Sequence, residues 1–308
     1  MSTSSAGDPA LPASEVTIDL ALVRQLIRAQ APQWGHEEIS YLATGWDNEV
    51  YRLGPKLIIR LPRRQLGQIL GDKERKWLPR LAVATGVDLG LALFVGKPTA
   101  AYPFTFSVYP FVPGRSAAEL PRHRRDEYAR EFSDLLRSLH QKAEPSAPTS
   151  EFRGCPLATL NARTHKQIAT LGREAQAPAK TIWEAALAAA PFFGAQVWLH
   201  GDPHPQNTIV NHSDPAALSI SLIDFGDLCA GDPASDLGMF WMHFSPAGVA
   251  EAFAAYGVAE GSSRWLRSRG WALRYALITC GLDKNDPLGR VGCETLEILL
   301  AGERARRS

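Results

Sequence analysis

Two hydrophobic periods divide the chain. In residues 16–31, VTIDLALVRQLIRAQA, Leu20, Val23, Ile27 and Ala31 recur at helical spacing, with Asp19 at the start and Pro32 as a stop. From residue 39 the period shortens. Residues 39–43 read as a strand, and strands at 49–53 and 56–61 flank the turn pair Gly54-Pro55. Residues 66–84 return to a helix, with Leu70, Trp77, Leu78 and Leu81 as its apolar stripe and a kink expected at Pro79. Strands at 91–95 and 104–109 follow. The run SVYPFVPG, 107–114, then ends regular structure with two prolines and a glycine, which sets a domain boundary there. The expected division is a disordered tail at 1–15, an N-lobe at 16–113 and a C-lobe at 114–308.

Beyond the boundary the pattern is mostly helical. Two helical segments are expected in 116–142, the second at 126–141 with Tyr128, Phe132, Leu135, Leu136 and Leu139 on one side. Residues 143–156 read as a loop, and helices are expected near 157–173, 178–190, 234–244, 246–256, 262–282 and 289–302. The exception is VWLHGDPHPQNTIV, 197–210, followed by SLIDFGD, 221–227. Three short apolar runs there read as strands, with a polar loop between the first and second.

That loop carries the chemistry. Its spacing is His-x-Asp-x-x-x-x-Asn, from His200 through Asp202 to Asn207, and Asp224 opens an Asp-Phe-Gly 17 residues after the asparagine. Phosphoryl transfer needs such a set: one carboxylate to orient and deprotonate a hydroxyl, and an amide and a second carboxylate to hold magnesium. Asp202 is the candidate base, and Asn207 and Asp224 are hard oxygen ligands suited to Mg2+. His200 is expected to brace the loop. His204 either donates to the transferring group when protonated or supports the loop.

Upstream, Thr44-Gly45-Trp46-Asp47-Asn48 precedes the 49–61 hairpin. With Trp46, Asp47 and Asn48 it reads either as a loop whose backbone N–H groups lie over phosphates or as an ordinary turn. Arg60 ends the apolar run LIIR, where a cation can hold phosphates; a surface strand end is the plainer reading. Glu74 shares a helix face with Leu70 and is preferred to Asp72 as a partner for that cation. A purine is expected near the boundary, against Tyr109, Phe111 and Val112.

Composition narrows the classes. The 308 residues are 45% hydrophobic and 21% charged, with a net charge of +1, so nothing asks for nucleic acid or an anionic membrane. The N-terminus lacks a basic region followed by an apolar one, and no apolar run reaches the roughly 18 residues of a spanning helix, so the protein is expected to be soluble and cytoplasmic. Cys155, Cys229, Cys280 and Cys293 show no ligand spacing and are read as buried, reduced thiols.

HGDPHPQN and IDFGD together resemble the catalytic and metal motifs of the aminoglycoside phosphotransferase family, which includes macrolide kinases. GWDNEVYRLG with LIIRLPRR resembles that family's nucleotide loop and third strand, and GDPASDLGMFWM its segment after the metal aspartate. The resemblance spans about residues 16–300. It implies an α+β, bilobal protein-kinase-like fold: a small N-lobe with an antiparallel sheet and a larger, mainly helical C-lobe. It also implies transfer of the γ-phosphoryl of ATP or GTP to an antibiotic hydroxyl, with resistance as the outcome. Gly201 and His204 stand where protein kinases carry arginine and lysine, and no Ala-Pro-Glu segment follows Asp-Phe-Gly, which favours a small-molecule acceptor. Arg60 stands in place of the usual lysine.

For the acceptor, Asp232 and Asp236 are the expected binding residues. A helix-capping role for Asp232 and a first-turn role for Asp236 are the structural alternatives. An aminoglycoside, the acceptor expected ahead of the others, needs acids such as these with Asp283, Asp286 and Glu294. A macrolide needs aromatic walls, for which Phe240, Trp241, Phe244, Trp265, Trp271 and Tyr275 are available unless they are core. A sugar or choline-like metabolite kinase and a nucleotide-binding pseudokinase complete the field.

Overall fold

The computed structural model describes residues 12–214, 217–283 and 285–306. They divide into two compact units, 12–113 and 114–306. Most of the expected tail, 1–11, lies outside the described residues. At its end, Ser14 and Glu15 are tied down: Ser14 Oγ donates to Val16 and Arg63 carbonyls, and Glu15 accepts from the Gln65 N–H.

In the first unit, α1 (Leu20–Gln30) begins where the Asp19 carboxylate accepts from Leu22 N–H, an N-cap bond. Strands β1 (Ile39–Thr44), β2 (Asn48–Leu53) and β3 (Leu57–Pro62) form an antiparallel meander, α2 spans Gln65–Thr85, and β4 (Phe94–Val95) and β5 (Ser107–Pro110) follow. The sheet order is β1-β2-β3-β5-β4. Val23 and Ile27 of α1 and Ala31 just after it pack on one sheet face with Tyr51, Ile59, Leu61, Phe106 and Val108. Side chains alternate along a strand, so Arg60, between Ile59 and Leu61, turns to the other face. The strand expected at 91–95 holds only two residues. Gly90, Gly96, Pro98 and Pro103 crowd this stretch and cannot sustain a long ladder, which falls at the sheet edge. Pro79 stays inside α2, which ends at left-handed Gly86.

The second unit contains β6 (Arg115–Ser116), α3 (Arg122–Arg125), α4 (Ala129–Leu139), α5 (Asn161–Ala169), α6 (Arg173–Ala188) and β7 (Val197–Leu199). Next come β8 (Thr208–Asp214), β9 (Ala217–Leu222) and β10 (Cys229–Gly231). Five helices complete it: α7 (Ala234–Leu237), α8 (Met239–His243), α9 (Pro246–Tyr256), α10 (Ser263–Thr279) and α11 (Pro287–Ala305). The helix expected at 234–244 is therefore two. They meet at Gly238, where a Cβ would stand 2.8 Å from the Cβ of Trp271, so only glycine lets α10 pass this closely. Helix α10 is buried on nearly every side, against α6, α7, α8 and α11. Phe240, Trp241, Phe244, Trp265, Trp271 and Tyr275 are all core.

The cysteines depart from expectation. Cys280 and Cys293 form a disulfide, because the turn between α10 and α11 brings their Cα atoms to 4.5 Å. Cys155 is half-buried and Cys229 buried, and neither is in a disulfide. Among the described residues no helix is long and apolar enough to cross a membrane.

Candidate active site

The site grows from a hairpin. Strands β8 and β9 pair with Thr208 opposite Leu222, and Ile223 N–H donates to Asn207 O at 2.9 Å. That register sets Asn207 beside Asp224. Asp224 has φ +62°, the one positive φ among the described non-glycine residues, a strained backbone of the kind held at functional sites. The loop before β8 is closed on itself: Asn207 Nδ2 donates to Asp202 O at 3.1 Å, and His204 N–H donates to the same carbonyl at 2.8 Å. His204 Nδ1 accepts from Asn207 N–H at 3.3 Å, which puts the ring proton on Nε2, 3.6 Å from Asp202 Oδ2. His204 thus supports the loop and faces the candidate base.

Beneath the loop lies a second set of bonds. Buried His200 accepts at Nδ1 from Asp202 N–H at 3.2 Å and donates from Nε2 to Ile223 O at 3.1 Å, joining the loop to the strand that leads to Asp224. Burial lowers its pKa, so the ring is neutral. Gly201, at φ +90°, lies so close to the Asp227 backbone that a Cβ would meet its carbonyl oxygen at 2.4 Å. Tyr275 OH reaches Gly201 O at 3.4 Å and Ser235 Oγ at 3.1 Å.

Asp232 and Asp236 are bonded within the second unit. Asp236 is fully buried and accepts from His200 N–H at 2.8 Å and Gly201 N–H at 3.1 Å, with His140 Nε2 3.3 Å away. Asp232 accepts from Ala234 N–H at 3.0 Å and is gripped by Arg267 at 2.6 and 3.3 Å. Both carboxylates spend their oxygens inside the fold, one bracing the catalytic loop and one starting α7. The other acids are engaged too. Asp286 caps α11 and accepts from Gln206, Glu294 pairs with Arg122, and Asp283 accepts from Asn285 N–H.

Arg153, in the stretch read only as a loop, is the residue that pattern reading missed. Its Nη2 lies 3.1 Å from Asp202 Oδ1, and Nε and Nη2 reach Asp227 Oδ2 at 3.2 and 3.0 Å. Burial alone lowers its pKa, but Asp202, Tyr275 and Asp227 outweigh that and raise it, so it stays charged. Backbone bonds fix its position: Asp232 N–H donates to Gly154 O at 2.9 Å, and Ala230 N–H to Pro148 O at 2.7 Å. No sequence period marks such an anchor.

The first unit carries its own charged cluster. Arg60 Nη1 reaches both Glu74 oxygens, at 3.2 and 3.1 Å, and Tyr109 OH donates to Glu74 Oε1 at 2.9 Å. Asp72 pairs instead with Arg75. In the loop before β2, Trp46 is exposed, Asp47 accepts from Arg64 Nε at 2.7 Å, and Asn48 O accepts from Gly45 N–H at 2.8 Å. A Cβ on Gly67 would meet Asp47 O at 2.4 Å, so the start of α2 lies directly against this loop. Phe111 lies under the Arg52 guanidinium, 3.5 Å from its ring centre, and its N–H donates to Lys56 O at 2.7 Å. That N–H is therefore taken, and Val112, half-buried, follows it.

Asn207 and Asp224 fit a magnesium ion by donor type. An amide oxygen and a carboxylate are hard ligands, and magnesium is held by one or two such protein groups together with substrate phosphates. The bond from Asn207 Nδ2 to Asp202 O orients the amide and leaves its oxygen as the donor.

Fold and site define a kinase-like phosphotransferase. A profile of the phosphotransferase enzyme family, APH, matches residues 38–272, and the chain belongs to this family. Among solved structures, it is similar to the GDP complex of aminoglycoside 2'-phosphotransferase-IIIa (TM-score 0.68, 18% identity, covering 92% of this chain and 99% of that one). It is similar also to spectinomycin phosphotransferase APH(9)-Ia with ADP and spectinomycin (TM-score 0.60, 13% identity, covering 93% and 99%). A third is aminoglycoside phosphotransferase APH(3'')-Id from Streptomyces rimosus (TM-score 0.56, 19% identity, covering 83% and 98%). No curated protein sequence matches the chain.

Proposed function

We propose that the protein transfers the γ-phosphoryl group of ATP or GTP to a hydroxyl of a small molecule. The observation that carries this reading is the shared frame of Asp202, Asn207 and Asp224, tied by the bonds from Asn207 to Asp202 and from Ile223 to Asn207. In the step, the acceptor oxygen attacks the γ-phosphorus as Asp202 takes its proton. The bond to the β–γ bridging oxygen breaks, and the nucleoside diphosphate leaves with that oxygen. Asn207 and Asp224 would hold Mg2+, which when bound supplies positive charge to the phosphate oxygens. Arg60, fixed by Glu74, would hold phosphates in the first unit as a permanent cation, with the loop of Trp46, Asp47 and Asn48 covering them. Tyr109, Phe111 and Val112 would line the base.

Relatives crystallised with GDP and with ADP support a nucleotide co-substrate. For an aminoglycoside acceptor, the leading expectation from sequence, both carboxylates assigned to it make bonds within the fold. The test is a coupled assay of nucleoside diphosphate release by the purified protein, with ATP and GTP in parallel. Acceptors would include aminoglycosides, macrolides, neutral sugars and hydroxy acids. The expected result is magnesium-dependent release stimulated by one acceptor class. Release that no acceptor stimulates, or that proceeds unchanged in excess chelator, would overturn the reading.

A further inference from the structure

The carboxylates of the second unit leave little negative charge for a cationic acceptor. Asp232, Asp236 and Asp286 are engaged within the fold, and Glu294, 48% exposed, pairs with Arg122. Asp202 and Asp227, the two acids beside the reaction, share one arginine, Arg153. This arginine is 18% exposed along its side chain, and its Nη1 has no partner among the described residues. The guanidinium stands 5.2 Å from the ring centre of Tyr275 on α10, and the residue before Tyr275 on that helix is a second cation. Arg274 of α10 is buried, and its Nε and Nη1 make no hydrogen bond among the described residues. Burial lowers its pKa, and the charges of Arg153 and Arg163 press the same way. A buried guanidinium without a counter-charge is costly, and an arrangement of this kind persists where an anion completes it.

We infer that Arg153, backed by Arg274, selects an acceptor whose reacting alcohol sits on an anionic molecule, one bearing a carboxylate or a phosphate, and excludes polycations. The inference rests on the phosphotransfer reading of the same site. An acceptor anion takes the free Nη1 edge of Arg153 in a charge-assisted bond. By competing for the guanidinium it draws Arg153 off Asp202 Oδ1, and the carboxylate becomes available to the alcohol. Arg153 is thus a specificity-determining residue that also masks the base until the right charge arrives. A polycation brings no group that can displace it, and two arginines oppose its approach.

Calorimetric titration of the full chain, saturated with magnesium–ADP, tests this. The probes are tartrate, an alcohol with carboxylates; glycerol 3-phosphate, an alcohol with a phosphate; neutral glucose; and the polycation kanamycin. One of the two anionic probes is expected to bind more tightly than glucose and kanamycin, and which one binds identifies the anionic group. Arg153→Gln should weaken that probe by tenfold or more, in line with the loss of a charge-assisted bond, while strengthening kanamycin. Arg153→Lys should keep kanamycin excluded, and it carries the test should Arg153→Gln fail to fold. Kanamycin binding wild-type protein more tightly than both anions, neither anion binding, or anion affinity untouched by Arg153→Gln would each overturn the inference. Failure of the phosphotransfer reading looks different: anion binding would follow Arg153 as expected, but nucleotide turnover would not depend on Asp202.

Discussion

At the scale of the residue, the site rests on bonds that fix direction rather than on residue types alone. Asp202, Asn207 and Asp224 were singled out because their spacing is dense and each sits where an apolar run ends, and the fold bonds Asn207 to Asp202. Asp232 and Asp236 were assigned to an acceptor on acidity, which is visible in a sequence, whereas the bonds each makes inside the fold are not. Asp236 accepts from His200 and Gly201, 36 and 35 positions away, and nothing local announces that. Arg153 was invisible for the same reason, since its placement comes from Pro148 and Gly154 carbonyls bonded to Ala230 and Asp232. The Arg60–Glu74 pair was legible from helix register, and its cost can be measured. Arg60 is 16% exposed and Glu74 4%, so Glu74→Ala takes a buried counter-charge away from the Arg60 guanidinium. Unfolding in urea should show a loss of about 3–5 kcal/mol, with Glu74→Gln losing less. An unchanged midpoint would mean that the pair contributes nothing.

At the scale of the element, helices with strong periodicity were read to within a few residues, as at 246–256, where α9 runs Pro246–Tyr256. Failures came where the chain shortens its elements for packing. The 234–244 helix splits at Gly238 because α10 crosses there, and the edge strand at 91–95 contracts to two residues among glycines and prolines. The turn after α10 was also misread, since cysteines 13 positions apart carry no pairing signal until two helices lie side by side. Closing a loop of this length stabilises a protein by about 3 kcal/mol in the chain-entropy account. Reductant should therefore lower the guanidinium midpoint of the wild-type protein, and Cys280→Ser should start at that lower midpoint and be insensitive to reductant. Equal midpoints with and without reductant would show that the bond carries no stability.

At the scale of the whole molecule, the boundary near residue 113 was drawn where strands give way to helices, and the α+β class was what the family resemblance implied. The core of the second unit adds a consequence for acid stability. His200 and His243 are fully buried, and burial lowers the pKa of each, His243 far below its usual value of 6.5. His243 donates from Nε2 to Pro203 O at 2.9 Å, so its Nδ1 accepts from Tyr128 OH, 2.9 Å away. Below pH 6.5 the unfolded chain takes up protons that these folded rings refuse, so stability must fall as pH drops through that value. Each such histidine contributes up to about 1.4 kcal/mol per pH unit. Thermal melts from about pH 7.5 to 5.5 should show a falling midpoint, and His243→Gln should flatten the slope although it lowers the midpoint at neutral pH. A slope unchanged by that substitution would place the acid sensitivity elsewhere.

The central claim is that Asp202 takes the proton of the acceptor alcohol. The direct measurement is turnover and nucleotide affinity in Asp202→Asn, with magnesium and the best acceptor from the release assay. The expected result is a fall in kcat of ~10²–10⁴-fold with nucleotide affinity nearly unchanged, the signature of a lost base in an intact site. Turnover equal to wild type would contradict the account.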